Sequence, residues 1–296
     1  METSAKTRKH PILDKTILSY FILILVGQLF ESLFGFVDRL LAKVVPGYAM
    51  TTAVTLGEQE YSQVSAMGLG TALGALLALL IFRLWFRPHF RGSLRKEYLT
   101  KGLLMLAPMA LIHFSGSLVS IGILGLGNVG VAALRCLAPG FGEEVCFRGL
   151  GAANYMRKAT SERQVVGILW LSAAVFGFFH MGNVLGGAKL SYGLIQSVYA
   201  CGVGLLFGAV FLRTGNLWPT IIAHSLVDFL EMARADMATS GGIMVNMTVG
   251  DWITVAAGVV AAATGIYLCR KEKRGEILNI WAERWSKEPT GEIAGE

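Results

Sequence analysis

Apolar residues in this chain come in long runs separated by short polar segments, and the runs have membrane length. A spanning helix needs about 20 apolar residues. The first run predicts a helix from about Thr16 to Val37, with Glu31 near its end. A mixed loop follows from Asp38 to Ser65, holding Pro46, Gly47 and the polar stretch Gly57-Glu58-Gln59-Glu60. The second run is Ala66 to Phe82. From Gly102 to Leu134 no Asp, Glu, Lys or Arg occurs, which exceeds one span. Gly125, Gly127, Asn128 and Gly130 offer a turn there, so the stretch divides into a third helix of about 102–124 and a fourth of about 129–155. Further runs predict helices at about 164–184, 190–212, 218–232 and 252–269.

Composition agrees with this pattern. The chain has 296 residues, of which 54% are hydrophobic and 16% charged. Soluble domains carry about 25% charged residues. The mean hydropathy is +0.56. A single large soluble domain and a disordered chain are both excluded. The expected fold class is all-α: a polytopic membrane protein of about eight transmembrane helices around an intramembrane polar cavity.

The net charge of +6 changes the picture only through its distribution. Basic residues gather at Arg83, Arg87, Arg91, Arg95, Lys96 and Lys101, at Arg157, Lys158 and Arg163, at Arg213, and at Arg270, Lys271, Lys273 and Arg274. With the N-terminus inside, these are all inner loops, and the positive-inside rule then predicts that both termini are cytoplasmic. No basic-aromatic array of the nucleic-acid-binding kind is present. The expected partners are therefore the lipid bilayer and a peptide or membrane-protein substrate; the oligomeric state is not legible. The basic start of the chain, followed by an apolar run without a small-residue cleavage site, reads as a first membrane helix rather than a removed signal peptide. The tail from Glu276 to Lys287 spaces Ile277, Leu278, Ile280, Trp281 and Trp285 as a helix, either interfacial or an extension of the last span. Cys136, Cys146, Cys201 and Cys269 form no CxxC pair and read as buried thiols.

Ionisable groups inside apolar helices cost about 2.5–3.5 kcal/mol each on insertion scales, so each needs a reason to be there. Three helices carry them in clusters: Glu143-Glu144-x-x-x-Arg148, Phe176-x-x-x-His180 and His224-x-x-x-Asp228. Residues four apart share a helix face. Glu144 can thus pair with Arg148, while Glu143, about 100° around the helix, points elsewhere. Interhelical packing glue would explain any one stripe. Three carboxylates, two imidazoles and one guanidinium together suit proton transfer.

In this order the three motifs resemble those of the CAAX protease and bacteriocin-processing family of intramembrane endopeptidases. The segment Arg213-Thr214-Gly215-Asn216-Leu217-Trp218-Pro219 is also similar. The resemblance covers about 135–230. It implies a core there within a transmembrane domain of 16–269, flanked by cytoplasmic segments at 1–15 and 270–296. It implies hydrolysis of a peptide bond in a membrane-associated or prenylated substrate by a glutamate-activated water, without a cofactor. Glu143 would deprotonate the water and His180 would orient it. His224, with Asp228, would stabilise the oxyanion, and Glu144 and Arg148 would hold the helix. The family has Asn or Asp at the last position. Asn can donate to an oxyanion, whereas ionised Asp only accepts; Asp228 is therefore either protonated or orients His224, and the second is favoured. Phe176 and Asn183 are candidates for contact with substrate.

Other chemistries compete. Glu143, His180 and His224 could form a zinc set, although no His-Glu-x-x-His helix is present. Cys146 with His180 could act as a thiol pair. Gly125-Leu126-Gly127-Asn128-Val129-Gly130 imitates a dinucleotide fingerprint, but no βαβ alternation surrounds it. A transporter also places ionisable groups at mid-membrane, and an immunity or scaffold protein could share the helices. Glu31 reads as interfacial, with the cavity rim as the alternative, and His113 as an interhelical hydrogen-bonding group.

Overall fold

The computed structural model describes residues 16–56, 59–66, 68–86, 98–109, 126–185, 190–232 and 249–285. Their order is α1 (Thr16–Val44), β1 (Ala49–Leu56), β2 (Gln59–Ala66), α2 (Leu69–Phe86), α3 (98–109), α4 (Leu126–Glu144), a π-helical segment (Val145–Ala152), α5 (Ala153–Met156), α6 (Glu162–Phe179), α7 (Gly182–Leu185), α8 (Leu190–Thr214), α9 (Trp218–Met232), α10 (Val249–Leu268) and α11 (Lys271–Trp285). The described residues are helical, apart from one antiparallel hairpin pairing Ala49 with Ala66 and Leu56 with Gln59. That hairpin replaces most of the loop expected at 38–65.

Three helical stretches are long and apolar enough to span a membrane: Ile17–Val44, Glu162–Leu185 and Leu190–Thr214. The pair α10 and α11, bent by 72° at its break, makes a fourth candidate. The expected eight spans are not confirmed: three, or four with the bent pair, are found among the described residues. Most of the third predicted span lies outside those residues, and the described part of α9 is 15 residues long. By itself α11 cannot enter hydrocarbon, since seven of its fifteen residues are charged. Apolar side chains facing outward along α1, α2 and α10, among them Leu25, Leu29, Leu84 and Val259, give the lipid-facing surface of an integral membrane protein.

Several boundaries move. The first helix does not stop at Val37 but continues to Val44, because Asp38 is buried inside the protein rather than starting a loop. Asp38 accepts the Tyr48 hydroxyl, the Gly70 N–H at 2.8 Å, the Thr71 N–H at 2.8 Å and the Thr71 hydroxyl at 2.9 Å. It therefore caps the N-terminus of α2 from a different helix. The turn expected at 125–130 is also absent from residues 126–130, which form the first turns of α4. Residues 110–125, with His113 and the rest of the third predicted helix, lie outside the described residues, as do residues 1–15 and 286–296.

Close packing holds the bundle. A Cβ on Gly202 of α8 would overlap the carbonyl of Gly258 on α10, so small residues let these backbones touch. The far end of α8 is closed by α11. Gly215 takes the left-handed conformation (φ +55°) just past the helix. Arg284 donates to the Thr214 and Gly215 carbonyls, and Trp281 Nε1 donates to Leu212 O at 3.0 Å. In return, Arg213 on α8 donates to Leu268 O of α10 at 3.0 Å. These bonds fix the turn from which α9 departs.

Candidate active site

The site forms where α4, α6, α8 and α9 meet. Helix α4 carries Pro139 within it and runs into the π-helical segment, whose eight residues are all buried. Such segments depart from the regular helical ladder and are frequent at functional positions. Glu143 and Glu144 end the α-helical part, and Arg148 lies within the π part.

Glu144 and Arg148 are both fully buried, and Nη1 donates to Oε1 at 2.9 Å. Removing two charges from water is costly, and the surroundings answer this with further contacts. The guanidinium stands over the Phe176 ring, 4.3 Å from its centroid. Phe176 in turn meets Phe147, His180 and His224 edge-on, with centroids 5.2, 4.9 and 5.7 Å apart. Phe176 is therefore a buried wall that sets the angle of both imidazoles. It is not an open contact surface.

His224 is the hub. Its Nδ1 lies 3.1 Å from Glu144 Oε1, and its Nε2 is 3.7 Å from both Glu143 Oε2 and Asp228 Oδ1. A carboxylate that already receives Arg148 only accepts, so Nδ1 carries a hydrogen and Nε2 is the reactive nitrogen. Glu144 therefore fixes the tautomer and ring orientation of His224. Asp228 stands on the Nε2 side instead, with its side chain 28% exposed. Three carboxylates around one imidazole supply the counter-charge of an imidazolium.

His180 caps the end of α6, half-buried, with Nδ1 2.9 Å from the Phe176 carbonyl oxygen. A carbonyl can only accept, so Nδ1 donates and Nε2 is left as an acceptor. A cavity of about 30 Å³ opens between His180, His224 and Asp228, walled by Phe176, Tyr199 and Phe207. One water needs about 10–15 Å³ on this measure, so the cavity has room for two.

Of the eight residues singled out from the sequence, seven converge: Glu143, Glu144, Arg148, Phe176, His180, His224 and Asp228. Asn183 does not line the cavity. It is exposed on α7 and donates to Gln196 Oε1 at 2.7 Å, and Gln196 is the residue that reaches the cavity. Gln196, Tyr199 and Phe207 on α8 escape sequence reasoning, because nothing distinguishes them from other residues of an apolar helix. The four cysteines are free thiols. Among the described residues no three His, Cys, Asp or Glu side chains converge as metal ligands would.

A buried acid–base cluster beside a water-sized cavity is an arrangement that can move protons inside a helical membrane protein. Residues 126–230 match the family described as Rce1-like, Type II CAAX prenyl endopeptidase, so this region is similar to the CAAX proteases. The match starts at the first turn of α4 and so takes in Gly127 and Gly130 as helix residues. No curated protein and no solved structure matches the chain.

Proposed function

We propose that this protein is a glutamate-type intramembrane endopeptidase that hydrolyses a peptide bond of a membrane-associated or prenylated substrate. In this reading a water bound in the cavity accepts orientation from His180 Nε2 and gives its proton to Glu143. The hydroxide adds to the scissile carbonyl carbon, and the carbonyl π pair moves onto oxygen. His224 Nε2–H, in the imidazolium form, donates to that oxyanion. Collapse breaks the C–N bond as Glu143 returns the proton to the amine nitrogen. Asp228 sits beside the reacting atoms on the Nε2 side and balances the imidazolium. Glu144 and Arg148 hold the imidazole. No metal is invoked.

The observation that carries this reading is the posture of His224, which lines the cavity with Asp228, is held at Nδ1 by Glu144 and turns Nε2 toward both Glu143 and Asp228. We further propose that the catalytic core spans about 135–230, that both termini are cytoplasmic, and that α11 lies at the membrane surface. The test compares peptides released in membranes holding wild type with those holding Glu143→Gln. Products present only with wild type support the reading. Wild-type membranes that release nothing across prenylated and unprenylated substrates would sink it. Altered solute uptake without any cleavage would point to a carrier. A chelator that abolished cleavage, with zinc restoring it, would hand the water-activating role to a metal.

A further inference from the structure

Asn183 misses the cavity, but the residue it holds does not. Gln196 lines the cavity together with His180, His224 and Asp228. On α8 it heads a stripe at helical spacing, followed by Tyr199, Ala200, Val203 and Phe207. Gly177 of α6 packs against Ser197 of α8, where a Cβ would lie 2.7 Å from the Ser197 carbonyl oxygen. His180, three residues after Gly177, and Gln196, one before Ser197, therefore stand at one level of the bundle. Phe207 lies eleven residues further along α8, about 16 Å away at 1.5 Å per residue. There its ring meets His224, with centroids 5.8 Å apart. Gln196 is half-buried and His224 is buried, so Gln196 stands at the mouth of the cavity and His224 at its floor.

A side-chain amide has one acceptor oxygen and two N–H donors. The oxygen of Gln196 is taken, because Asn183 Nδ2 donates to it at 2.7 Å. Among the described residues Gln196 makes no other hydrogen bond. Its oxygen is thus turned toward α7, and its NH2 is the end left for the cavity. The neighbouring polar groups do not duplicate this donor. An ionised Asp228 only accepts, and His180 Nε2 is left as an acceptor. A peptide brings one N–H and one C=O per residue, and each needs a partner once it leaves water. The N–H groups find acceptors in His180 and Asp228. A carbonyl at the mouth finds its donor in Gln196.

We propose that Gln196 is a substrate-binding residue that donates an amide N–H to a backbone carbonyl of the peptide beside the scissile bond, with Asn183 as the positioning residue that keeps the NH2 turned into the cavity. The contact reads main chain rather than side chain, so it serves peptides of differing sequence. The inference rests on the peptide-binding part of the reading above and not on its hydrolytic steps.

The test uses the full-length protein in lipid nanodiscs, carrying Glu143→Gln so that bound peptide is not consumed. The probe is a dansyl-labelled farnesylated peptide, together with a series in which one backbone carbonyl at a time is replaced by CH2. Affinities come from fluorescence titration. One replacement is expected to weaken binding about 5–20-fold, the range of a lost buried hydrogen bond. Gln196→Leu weakens the intact peptide by a similar factor, and in that variant the same replacement costs nothing further. Asn183→Asp introduces a carboxylate that only accepts, which turns the Gln196 amide over and weakens binding as much as Gln196→Leu does. Asn183→Ala frees the amide without reversing it and weakens binding less. In the protein with Glu143 intact, these variants lower kcat/KM through KM. Additive losses at every carbonyl, or an Asn183→Asp variant that binds as tightly as its parent, would overturn the contact, as would a parent that binds none of the peptides. Coupled binding without any cleavage by wild type leaves the contact standing and removes the hydrolytic reading; cleavage without coupling does the reverse.

Discussion

Two buried carboxylate neighbourhoods within this fold are built in opposite ways. Asp38 is surrounded by donors: the Tyr48 hydroxyl, two N–H groups at the start of α2 and the Thr71 hydroxyl. Both of its oxygens are satisfied. Across the α1–α4 contact, Glu31, Glu143 and Glu144 each keep one buried oxygen without a hydrogen bond. Burial alone does not distinguish the two neighbourhoods. Saturation does. A carboxylate whose lone pairs are all filled can hold a helix in place but cannot take a proton easily, because every donor must first let go. A carboxylate with an empty lone pair is expensive to keep buried, and that cost is reasonable where a proton must come and go.

The sharpest way to break this contrast is to replace one carboxylate from each neighbourhood. Glu143→Gln should lower cleavage by about 10²–10⁴, the usual worth of a general base, with an unchanged melting temperature in detergent. Asp38→Ala should do the reverse. Glu144→Gln tests a mixed case, since this group is paired on one oxygen and unsatisfied on the other. It strands the fully buried Arg148, and breaking such a pair costs about 3–5 kcal/mol. A large fall in thermal stability together with lost activity is expected; a stable, inactive variant would show that Glu144 acts only on His224. For Asp38→Ala the expected loss of stability is about 1–3 kcal/mol, with kcat retained, measured by thermal melting alongside the peptide assay. Loss of kcat without loss of stability would erase the distinction.

The smallest effect comes from a surface counterpart. Burial would raise the Glu276 carboxyl, but Lys101, Arg213 and Lys273 outweigh it and hold it below the usual carboxylate range. A depressed folded value stabilises the fold above the unfolded pKa of about 4.3 and ceases to do so as pH falls through the folded value. Melting in detergent below about pH 4.3 should therefore fall less steeply with acidification in Glu276→Gln than in wild type. The carboxyl is partly exposed and screened, so the difference is small.

What could be read from the sequence follows the range of each contact. The pairing of Glu144 with Arg148 and the shared face of Phe176 and His180 are set by four-residue spacing, and both hold in the fold. Contacts between distant helices are not encoded that way. His224 meets Glu144 across 80 positions, and spacing gives no hint that Glu144, rather than Asp228, takes Nδ1. Asp38 interrupts an apolar run, and a polar interruption reads as a helix end unless its partner is known; its partner Thr71 lies far along the chain. Glu31, read as interfacial or at the cavity rim, sits in mid-helix for the same reason. The count of eight spans is not confirmed for a related reason: an apolar run records burial, and burial against protein and burial in lipid look alike.

The π-helical segment sets a register. Its i→i+5 bonding spends one more residue per closed ring than the helix on either side. Upstream, Glu143 and Glu144 turn toward α9; downstream, Asn154 turns toward α1, where its amide donates to Ser19 Oγ at 2.7 Å. Winding the same eight residues as ordinary α-helix, with none removed, would turn the chemistry and the anchor out of phase, because each α residue advances about 100° and each residue of a wide turn advances less. The wide turn works as a spline between two halves of one helix: it takes up extra chain without rotating the anchor away from the chemistry.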